Sequence, residues 1–423
     1  MGKKTTMLMC GLIAFGLTAS AQETKPGQLA ELEKRTEKLD AEIAKQKKLK
    51  VSGYIQTQWQ WGEEAASLKV GSGNENSSDS FNRFGIRRGR LKFVYEEKIG
   101  SAVFQLDITE KGVKFKDAYL NIKDPWLGAF SLRGGIFDRP FGNEISYSSS
   151  RRESPERSTV FQTLFPDERD LGAMLIFQAP NKSSWSILKL EAGLFAGNGI
   201  QLDTDNKKDF IGHLSLAKTV RAVSFGLGAS YYNGKVYQTN NNVYTEKGGS
   251  FVLNDAEANK GGHAKREYFG FDAQFSIKSG LGLTQLRGEY LFGQQPGTDK
   301  STKSPNYSSF PDPGTDTYIR DFSGWYVILV QDIGRTPFSA VLKYDSYDPN
   351  TKVSGNGVDS GKGFKKADLA QNTLGFGLLW HINSALRLQA FYEINRNEQS
   401  TGIEGMNKDL NNDVFTLRLQ YKF

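Results

Sequence analysis

Apolar and polar residues alternate along most of the chain, and the alternation is strict from Asp413 to Phe423. Apolar side chains occupy every second position there, and Thr416, Arg418 and Gln420 lie between them. Period-two alternation indicates a strand with one apolar face and one polar face. In a barrel of the bacterial outer membrane the apolar face meets lipid, the polar face meets a water-filled lumen, and aromatic residues mark the interface.

Sixteen segments from Val51 onward show this alternation, and a single-chain bacterial barrel requires an even number of strands. The predicted strands are 51–61, 84–95, 101–109, 113–123, 130–137, 170–178, 185–195, 209–218, 223–232, 267–277, 282–292, 322–331, 338–348, 371–380, 386–395 and 413–423. The predicted fold is all-β: a 16-stranded antiparallel transmembrane β-barrel preceded by a short periplasmic coiled-coil helix. A soluble, aromatic-rich β-protein is the alternative.

The connections alternate between short and long, which is independent support for a barrel. Outer-membrane barrels have short periplasmic turns and longer extracellular loops. The short connections are 96–100, 123–128, 278–281, 332–335 and 381–385. The long, mostly polar connections are 62–83, 138–169, 196–208, 233–266, 293–321, 349–370 and 396–412. With a periplasmic N-terminus the long set is external, and the external connection near residues 110–112 is the exception because it is short.

Residues 1–21 have the pattern of a secretory signal peptide: Lys3 and Lys4, a short apolar core, and small residues before the predicted cleavage site. Lipidation at Cys10 is the alternative, although most of the apolar core follows that residue. Cleavage removes Cys10, so the mature chain would have neither a disulfide framework nor a thiol metal site.

Within the segment 22–49, six positions between 28 and 48 fall at alternating spacings of three and four residues, and most of them are apolar: Leu29, Leu32, Thr36, Leu39, Ile43 and Gln46. This spacing predicts about three heptads of a periplasmic coiled coil that gathers subunits. A solvated amphipathic linker helix is the alternative, but a single helix of this length is marginal without partners. The barrel is expected to occupy 50–423.

Composition restricts the possible functions. The 423 residues include 45 Gly, 17 Tyr and 28 Phe, and mean hydropathy is −0.50. After the signal segment the sequence has no apolar run near the roughly 18 residues that a spanning helix needs. The net charge is +7, and loss of Lys3 and Lys4 leaves +5. A basic exported chain suggests anionic partners such as small solutes and lipopolysaccharide, with no nucleic acid partner expected.

Strand parity assigns charged side chains to the lumen, because a charge facing lipid at mid-depth would cost about 2–4 kcal/mol. Strand 84–95 presents Leu91 and Phe93 to lipid, which turns three cations inward: Arg88, Arg90 and Lys92. The same parity turns further cations inward: Arg133, Arg287, Lys343, Arg387 and Arg418. It also turns acids inward: Asp107, Asp117, Glu289 and Asp345. Rings of Arg and Lys in a pore favour anions.

The connection 138–169 is long and rich in arginine, with interleaved aromatic residues. Its arginines are Arg139, Arg151, Arg152, Arg157 and Arg169. One interpretation is a loop folded into the lumen, where guanidinium groups bind oxyanions through paired hydrogen bonds. The other is a surface loop whose arginines bind acids of the same chain or lipopolysaccharide phosphates.

The chain resembles the phosphate-selective porins O and P, a family of trimeric outer-membrane channels, over roughly residues 50–423. The matching motifs are Leu132-Arg133 through Pro140-Phe141-Gly142-Asn143-Glu144, then Glu156-Arg157-Ser158, Arg169-Asp170-Leu171-Gly172, Leu194-Phe195-Ala196-Gly197-Asn198-Gly199, Tyr344-Asp345 with Asp348-Pro349-Asn350, and Leu417-Arg418-Leu419-Gln420-Tyr421. The resemblance implies a 16-stranded homotrimeric pore with an arginine-lined constriction in the third external loop, 138–169. The lysine cluster and full arginine ladder of the phosphate-binding members do not map onto specific positions here, so the implied preference is for anions such as phosphate or related oxyanions.

An enzyme and a surface adhesin are the two other function classes to consider. The three histidines His213, His263 and His381 lie in no recognisable catalytic motif, and the sequence has no Gly-x-Ser-x-Gly elbow. We therefore expect neither an enzyme nor a cofactor. A surface adhesin or structural anchor with little conductance is the second alternative, and a bilayer conductance measurement would distinguish it from a channel.

Overall fold

The computed structural model describes residues 48–304 and 314–423, together with residues 31, 34–36 and 38. The predicted signal peptide lies outside the described residues. Most of the predicted coiled-coil segment 22–49 does so too; its residues 31, 34–36, 38 and 48 are helical, and Leu49 already belongs to the first strand. Within the described residues no helix is long and apolar enough to cross a membrane. The chain divides into Met1–Lys48 and Leu49–Phe423, and the second unit is the barrel.

The barrel consists of 16 antiparallel strands within a sheet of 18. Its strands are β1 (Leu49–Gly62), β2 (Phe81–Glu97), β3 (Gly100–Thr109), β4 (Gly112–Lys123), β5 (Phe130–Asp138), β6 (Arg169–Gln178), β7 (Leu188–Phe195), β8 (Asp209–Val220), β9 (Val223–Tyr237), β12 (His263–Ser279), β13 (Gly282–Gly297), β14 (Thr317–Asp332), β15 (Phe338–Asp348), β16 (Gln371–His381), β17 (Leu386–Asn397) and β18 (Val414–Lys422). Each predicted segment overlaps one of these strands, although residues 185–187 of the predicted seventh strand form a short helical turn before β7. Because β1 pairs with both β2 and β18, the barrel is closed.

The two faces of the strands differ as the alternation predicts. On β18 the outward Leu417 and Leu419 are 36% and 44% exposed, whereas the inward Thr416 and Arg418 are 0% and 2% exposed. The same difference separates Leu342 from its neighbour Lys343 on β15. The outer surface is therefore apolar, and the polar and charged side chains line the interior.

Short turns lie at one end of the barrel and long loops at the other, which we call the short-turn end and the long-loop end. The turn between β4 and β5 is organised by Asp124, whose carboxylate accepts backbone hydrogen bonds of 2.6–3.1 Å from Trp126, Leu127, Gly128, Ala129 and Phe130. These bonds, that from Phe130 foremost, lower the pKa of Asp124 to about 2.

The remaining two strands form a hairpin in the long connection between β9 and β12, and strand prediction missed it. The hairpin consists of β10 (Val243–Lys247) and β11 (Ser250–Asn254), and β10 pairs in parallel with the start of β14. Gly248 and Gly249 form its tip with φ of +61° and +79°, values that glycine adopts without steric cost. A Gly-Gly pair between two short runs of β-forming residues was the available sequence signal.

The long loops also pack against one another. A small buried cluster joins Val358, Phe364, Leu369, Ile403 and Met406, with Phe251 of the hairpin packed against it. Short helical segments occur at Thr159–Leu164, Ser184–Ile187, Glu257–Asn259, Gly355–Gly357, Ser360–Lys362 and Lys366–Asp368. The largest buried cluster lies elsewhere, between the barrel wall and the segment that connects β5 to β6.

Two strands carry a bulge at which the alternation slips by one residue. On β2 the register with β1 shifts so that Ile86 and Arg88 are paired and Arg87 is not. On β4 the register with β3 shifts so that Phe115 and Asp117 are paired and Lys116 is not. A bulge redirects side chains, and each of these two leaves a pair of consecutive charged residues on the interior side.

Candidate functional site

The connection 139–168, which we call the inner loop, lies inside the barrel. Its backbone reaches inward side chains on strands far apart around the wall. Gly142 N–H donates to Ser230 Oγ on β9 at 2.8 Å, and Thr159 N–H donates to Asp345 on β15 at 3.2 Å. On the opposite side Gln420 of β18 donates to the Ser150 carbonyl at 3.0 Å. The loop therefore spans the lumen.

One face of the inner loop is packed against aromatic residues of the wall, and we call it the seated face. The rings involved are Phe141, Phe161 and Phe165 of the loop and Tyr232, Tyr268 and Tyr326 of β9, β12 and β14, with centroids 4.9–6.5 Å apart. Phe141, Phe161 and Phe165 are at most 1% exposed. Burying each Phe contributes about 1.5–3 kcal/mol, so this cluster is a main source of the loop's position.

Backbone hydrogen bonds to a buried carboxylate orient the start of the loop. Glu289 of β13 accepts N–H bonds from Asn143 at 3.0 Å and Glu144 at 2.5 Å. Gly142 has φ of +62°, and a Cβ there would lie 2.0 Å from Glu289 Oε2. The Pro140-Phe141-Gly142 motif therefore requires glycine both for its backbone conformation and for the close approach to Glu289.

The other side of the loop borders open space, and we call it the open face. This space is bounded by β15, β16 and β17 at the long-loop end and by β2, β3 and β4 further in. Three cavities follow one another there. The first, of about 620 Å³, lies at the long-loop end, the second measures about 330 Å³, and the third, of about 240 Å³, lies towards the short-turn end. Lys69, Glu156 and Arg157 border both the first and the second, and Arg90 and Arg157 border both the second and the third. We call this series the passage.

The two bulges supply side chains to the second cavity. Arg87 and Arg88 both reach Glu156 of the inner loop, at 2.7 Å and 2.8 Å. Lys116 lies 3.4 Å from Asp167 and 3.7 Å from Glu168. Arg87 and Lys116 were absent from the sequence-predicted site. The sequence does indicate each bulge. The outward apolar residues fall on even positions before Arg87 and on odd positions after it, and on odd positions before Lys116 and on even positions after it.

Glu156 links the inner loop to the wall. It accepts a bidentate pair of hydrogen bonds from Arg87, both at 2.7 Å, and further bonds from Arg88 at 2.8 Å and Arg418 at 3.1 Å. Burial opposes the charged form, but attraction to these three guanidinium groups lowers the pKa of Glu156 well below the usual range of a carboxyl. The Glu156 carboxylate therefore forms ion pairs with three arginines from two strands, β2 and β18.

A second ion-pair network lies where the second and third cavities meet. Arg169 at the start of β6 binds Asp117 at 3.0 Å, Asp138 at 3.1 Å and Glu168 at 2.7 Å. Arg157 binds Glu168 as well, and it donates to the Glu144 carbonyl at 2.8 Å. These pairs hold the end of the inner loop beside β4 and leave Arg157 on the border of the passage.

The structure divides the ten sequence-predicted site residues into two groups. Five border the passage: Arg88, Arg90, Lys92, Arg157 and Arg169. The other five border none of its three cavities within the described residues: Arg133, Arg139, Arg151, Arg152 and Arg418. The fold therefore brings five of the ten residues to the passage and leaves the other five away from its three cavities, although Arg418 shares Glu156 with Arg88.

The second group has contacts of other kinds. Arg133 lies over the ring of Tyr119 at 4.6 Å. Arg139 donates to the Pro166 carbonyl at 3.1 Å and lies over Phe165. Arg418 donates to the Pro155 carbonyl at 2.8 Å and to Gln58. Arg151 is exposed and lies 5.6 Å from the ring of Tyr147. Arg152 is buried.

Several lysines that border the passage were not among the site residues predicted from the sequence. Lys69, Lys111, Lys114 and Lys303 border it and form no ion pair with an acidic side chain of the described chain. Strand parity could have found Lys114, which lies between the outward Val113 and Phe115. The other three lie in connections, where alternation gives no information about direction.

The comparisons with known proteins concern the fold. No protein-family model matches the chain, and no curated protein matches it in sequence. The structure of OprB from Pseudomonas putida aligns with 92% of this chain and 96% of its own, at 12% identity and a TM-score of 0.55. The outer membrane channel DcaP of Acinetobacter baumannii aligns with 89% of this chain and 97% of its own, at 12% identity and a TM-score of 0.52.

A third structure, the trimer form of the outer membrane protein OmpT from Vibrio cholerae, aligns with 89% of this chain and 99% of its own, at 11% identity and a TM-score of 0.50. The fold is a porin fold. At identities this low the likeness concerns the arrangement of strands alone.

Proposed function

We propose that the protein is an outer-membrane porin whose passage prefers small anions, with phosphate and related oxyanions among the candidate solutes. The supporting observation is the charge along the passage. Six cationic and three acidic side chains border the first cavity, nine and five border the second, and five and two border the third. Cations outnumber acids at every level, and an excess of Arg and Lys around a pore favours anions.

The outer surface supports the proposed location in the bacterial outer membrane. Large apolar side chains on the outward faces are exposed, for example Phe104 at 51%, Leu120 at 61% and Leu342 at 50%. A closed barrel leaves no unpaired strand edge, which is the condition for a sheet to cross lipid. Lipid and lipopolysaccharide are the proposed surroundings, and the N-terminal segment is proposed to lie in the periplasm.

We further propose a homotrimer. The heptad spacing between residues 28 and 48 suits a gathered assembly, and OmpT of Vibrio cholerae, which shares the fold, has been solved in a trimer form. Sedimentation of the detergent-solubilised protein at the mass of one chain would exclude this assembly.

The proposed anion preference is tested by the reversal potential of the purified protein in a planar bilayer with a potassium chloride gradient. We expect the sign that indicates chloride over potassium. Lys116→Gln should lower the anion-to-cation permeability ratio by up to about fivefold, since one unit charge at about 8 Å in water favours an anion and disfavours a cation by about 0.5 kcal/mol each.

The matched control is Arg151→Gln, which removes one charge from the inner loop at a position that borders none of the three cavities. Its permeability ratio should equal that of the native protein. Cation preference of the native protein would reject the proposed selectivity, and a folded barrel without conductance would favour the adhesin or anchor alternative.

A further inference from the structure

A cleft of about 530 Å³ lies on the outer face of the barrel, and we call it the outer cleft. It is bordered mainly by outward side chains of β12, β13 and β14 near the long-loop end, and it shares no residue with the three cavities of the passage. Ligand pockets in proteins measure roughly 300–1,000 Å³, so the outer cleft has space for a lipid headgroup.

The register of the strands arranges the side chains around the outer cleft in rows. One row is aromatic: Phe269 of β12 lies opposite Phe292 of β13, with ring centroids 5.5 Å apart. The next row towards the long-loop end is polar: Glu267 lies opposite Gln294, and Gln294 lies opposite Asp321. Aromatic girdles mark the interface between lipid and water. The polar row therefore lies at the level of the lipid headgroups.

Two lysines face each other beyond the polar row. Lys235 of β9 lies directly opposite Lys265 of β12, and both are exposed. Lys265 binds Glu267 at 2.7 Å, whereas Lys235 forms no ion pair with an acidic side chain of the described chain. Like charges directly opposite each other destabilise a sheet, and an anion between them would remove that repulsion. A third lysine, Lys352, binds Asp321 of the outer cleft at 2.8 Å.

Hydrogen bonds fix the polar groups of the outer cleft in place. Glu267 accepts a bond from the Tyr231 hydroxyl at 2.8 Å, and Asp321 Oδ1 accepts one from Gln294 Nε2 at 3.2 Å. The Asp321 carbonyl accepts the Thr351 N–H at 2.8 Å. Carboxylate and amide groups supply the acceptors and donors that bind hydroxyl groups. The outer cleft thus combines aromatic rings, hydroxyl-binding groups and a pair of cations.

We propose that the outer cleft binds the phosphorylated sugar headgroup of an outer-leaflet glycolipid, lipopolysaccharide. A phosphate group lies between Lys235 and Lys265, and sugar hydroxyls bind the polar row. The acyl chains lie along Tyr290 and Phe292, which also border the outer cleft. This proposal rests on the proposed outer-membrane location and assigns a specific site to a lipid of that membrane.

The test is native mass spectrometry of the full-length protein in detergent with added bisphosphorylated lipid A. Dephosphorylated lipid A and phosphatidylglycerol are the comparison lipids. We expect saturable binding of one lipid A per chain and weaker binding of both other lipids. The double variant Lys235→Gln, Lys265→Gln should weaken lipid A binding about tenfold, because each lysine near an anionic headgroup adds to the attraction.

The matched control is the double variant Lys218→Gln, Lys278→Gln, which removes two exposed lysines at the short-turn end and should bind lipid A like the native protein. Ser323→Trp tests the space itself, because it fills the outer cleft without changing its charge and should abolish binding. Native affinity in the Lys235, Lys265 variant or in Ser323→Trp would overturn the inference. Equal binding of phosphatidylglycerol would overturn the assignment of a glycolipid.

Absence of lipid A from the native protein, as when a second copy of the chain covers the outer cleft, would also overturn the inference. The reversal potential is measured on the same samples. Because the outer cleft lies outside the passage, all of these variants should keep the native value. A native protein that prefers anions but binds no lipid A would contradict this inference alone and leave the proposed function in place.

Discussion

The two faces of the inner loop are held by different kinds of contact. The seated face uses aromatic rings and backbone hydrogen bonds to Glu289 and Asp345. The open face uses ion pairs that bind the loop to β2 and β4 and leave further lysines unpaired along the passage. Apolar burial sets the position of the loop, and the surplus of cations sets the field beside it. Stability and proposed selectivity therefore reside on opposite sides of one segment.

The largest expected effect follows from breaking the seated face with Phe165→Ala. Phe165 contacts Phe141, Phe161, Tyr232 and Tyr268, and its loss should lower the free energy of unfolding by about 3–5 kcal/mol. The loop should leave its position, so single-channel conductance should rise. Denaturant titration and bilayer recordings measure the two effects.

A matched control for that variant is Phe104→Ala, which removes an exposed outward ring on β3. It should leave single-channel conductance unchanged. If Phe165→Ala gave the native conductance and the native stability, the aromatic cluster would not be what holds the loop.

A smaller effect on stability is expected on the open face, from Glu156→Gln. It leaves the guanidinium groups of Arg87, Arg88 and Arg418 without their shared carboxylate, and breaking a buried pair of this kind costs about 3 kcal/mol or more. The passage also loses a negative charge, so the anion-to-cation permeability ratio should rise. Reversal potentials and unfolding in denaturant test the two parts.

Glu110→Gln also removes a negative charge from the second cavity, but it leaves the contacts between the inner loop and the wall intact. Glu110 borders the same cavity and accepts a backbone hydrogen bond from Ile86. Its variant should raise the permeability ratio with little change in stability. Equal losses of stability in the Glu110 and Glu156 variants would mean that the three arginines do not depend on Glu156.

The smallest effect is expected outside both faces, from Asp124→Asn in the short turn between β4 and β5. The pKa of Asp124 is lowered to about 2, so its contribution to stability is present above its unfolded pKa of about 3.9 and is lost as pH falls through the folded value. The native unfolding temperature should therefore fall between about pH 4 and pH 2 more than that of Asp124→Asn. Parallel pH dependence of the two proteins would contradict this role, and the permeability ratio should not change in either.

The 16 strands, their closure into a barrel and the difference between the two ends could all be predicted from the residue pattern. These follow from local patterns, because alternation and turn composition depend on neighbouring residues. The same alternation placed Arg90, Lys92 and Arg418 on the interior side. It did not reveal the hairpin β10–β11 as a pair of strands, because each run is only five residues long.

Which inward cations border the passage, and which form internal ion pairs, depends on how the chain folds. Arg87 and Arg418 meet at Glu156 although they lie 69 and 262 residues from it in the chain. Bulges at Arg87 and Lys116 redirect side chains by one position, and the buried surroundings of Arg152 come from a loop folded against distant strands. Pairing and burial are properties of three-dimensional proximity, and the order of residues along one strand does not contain them.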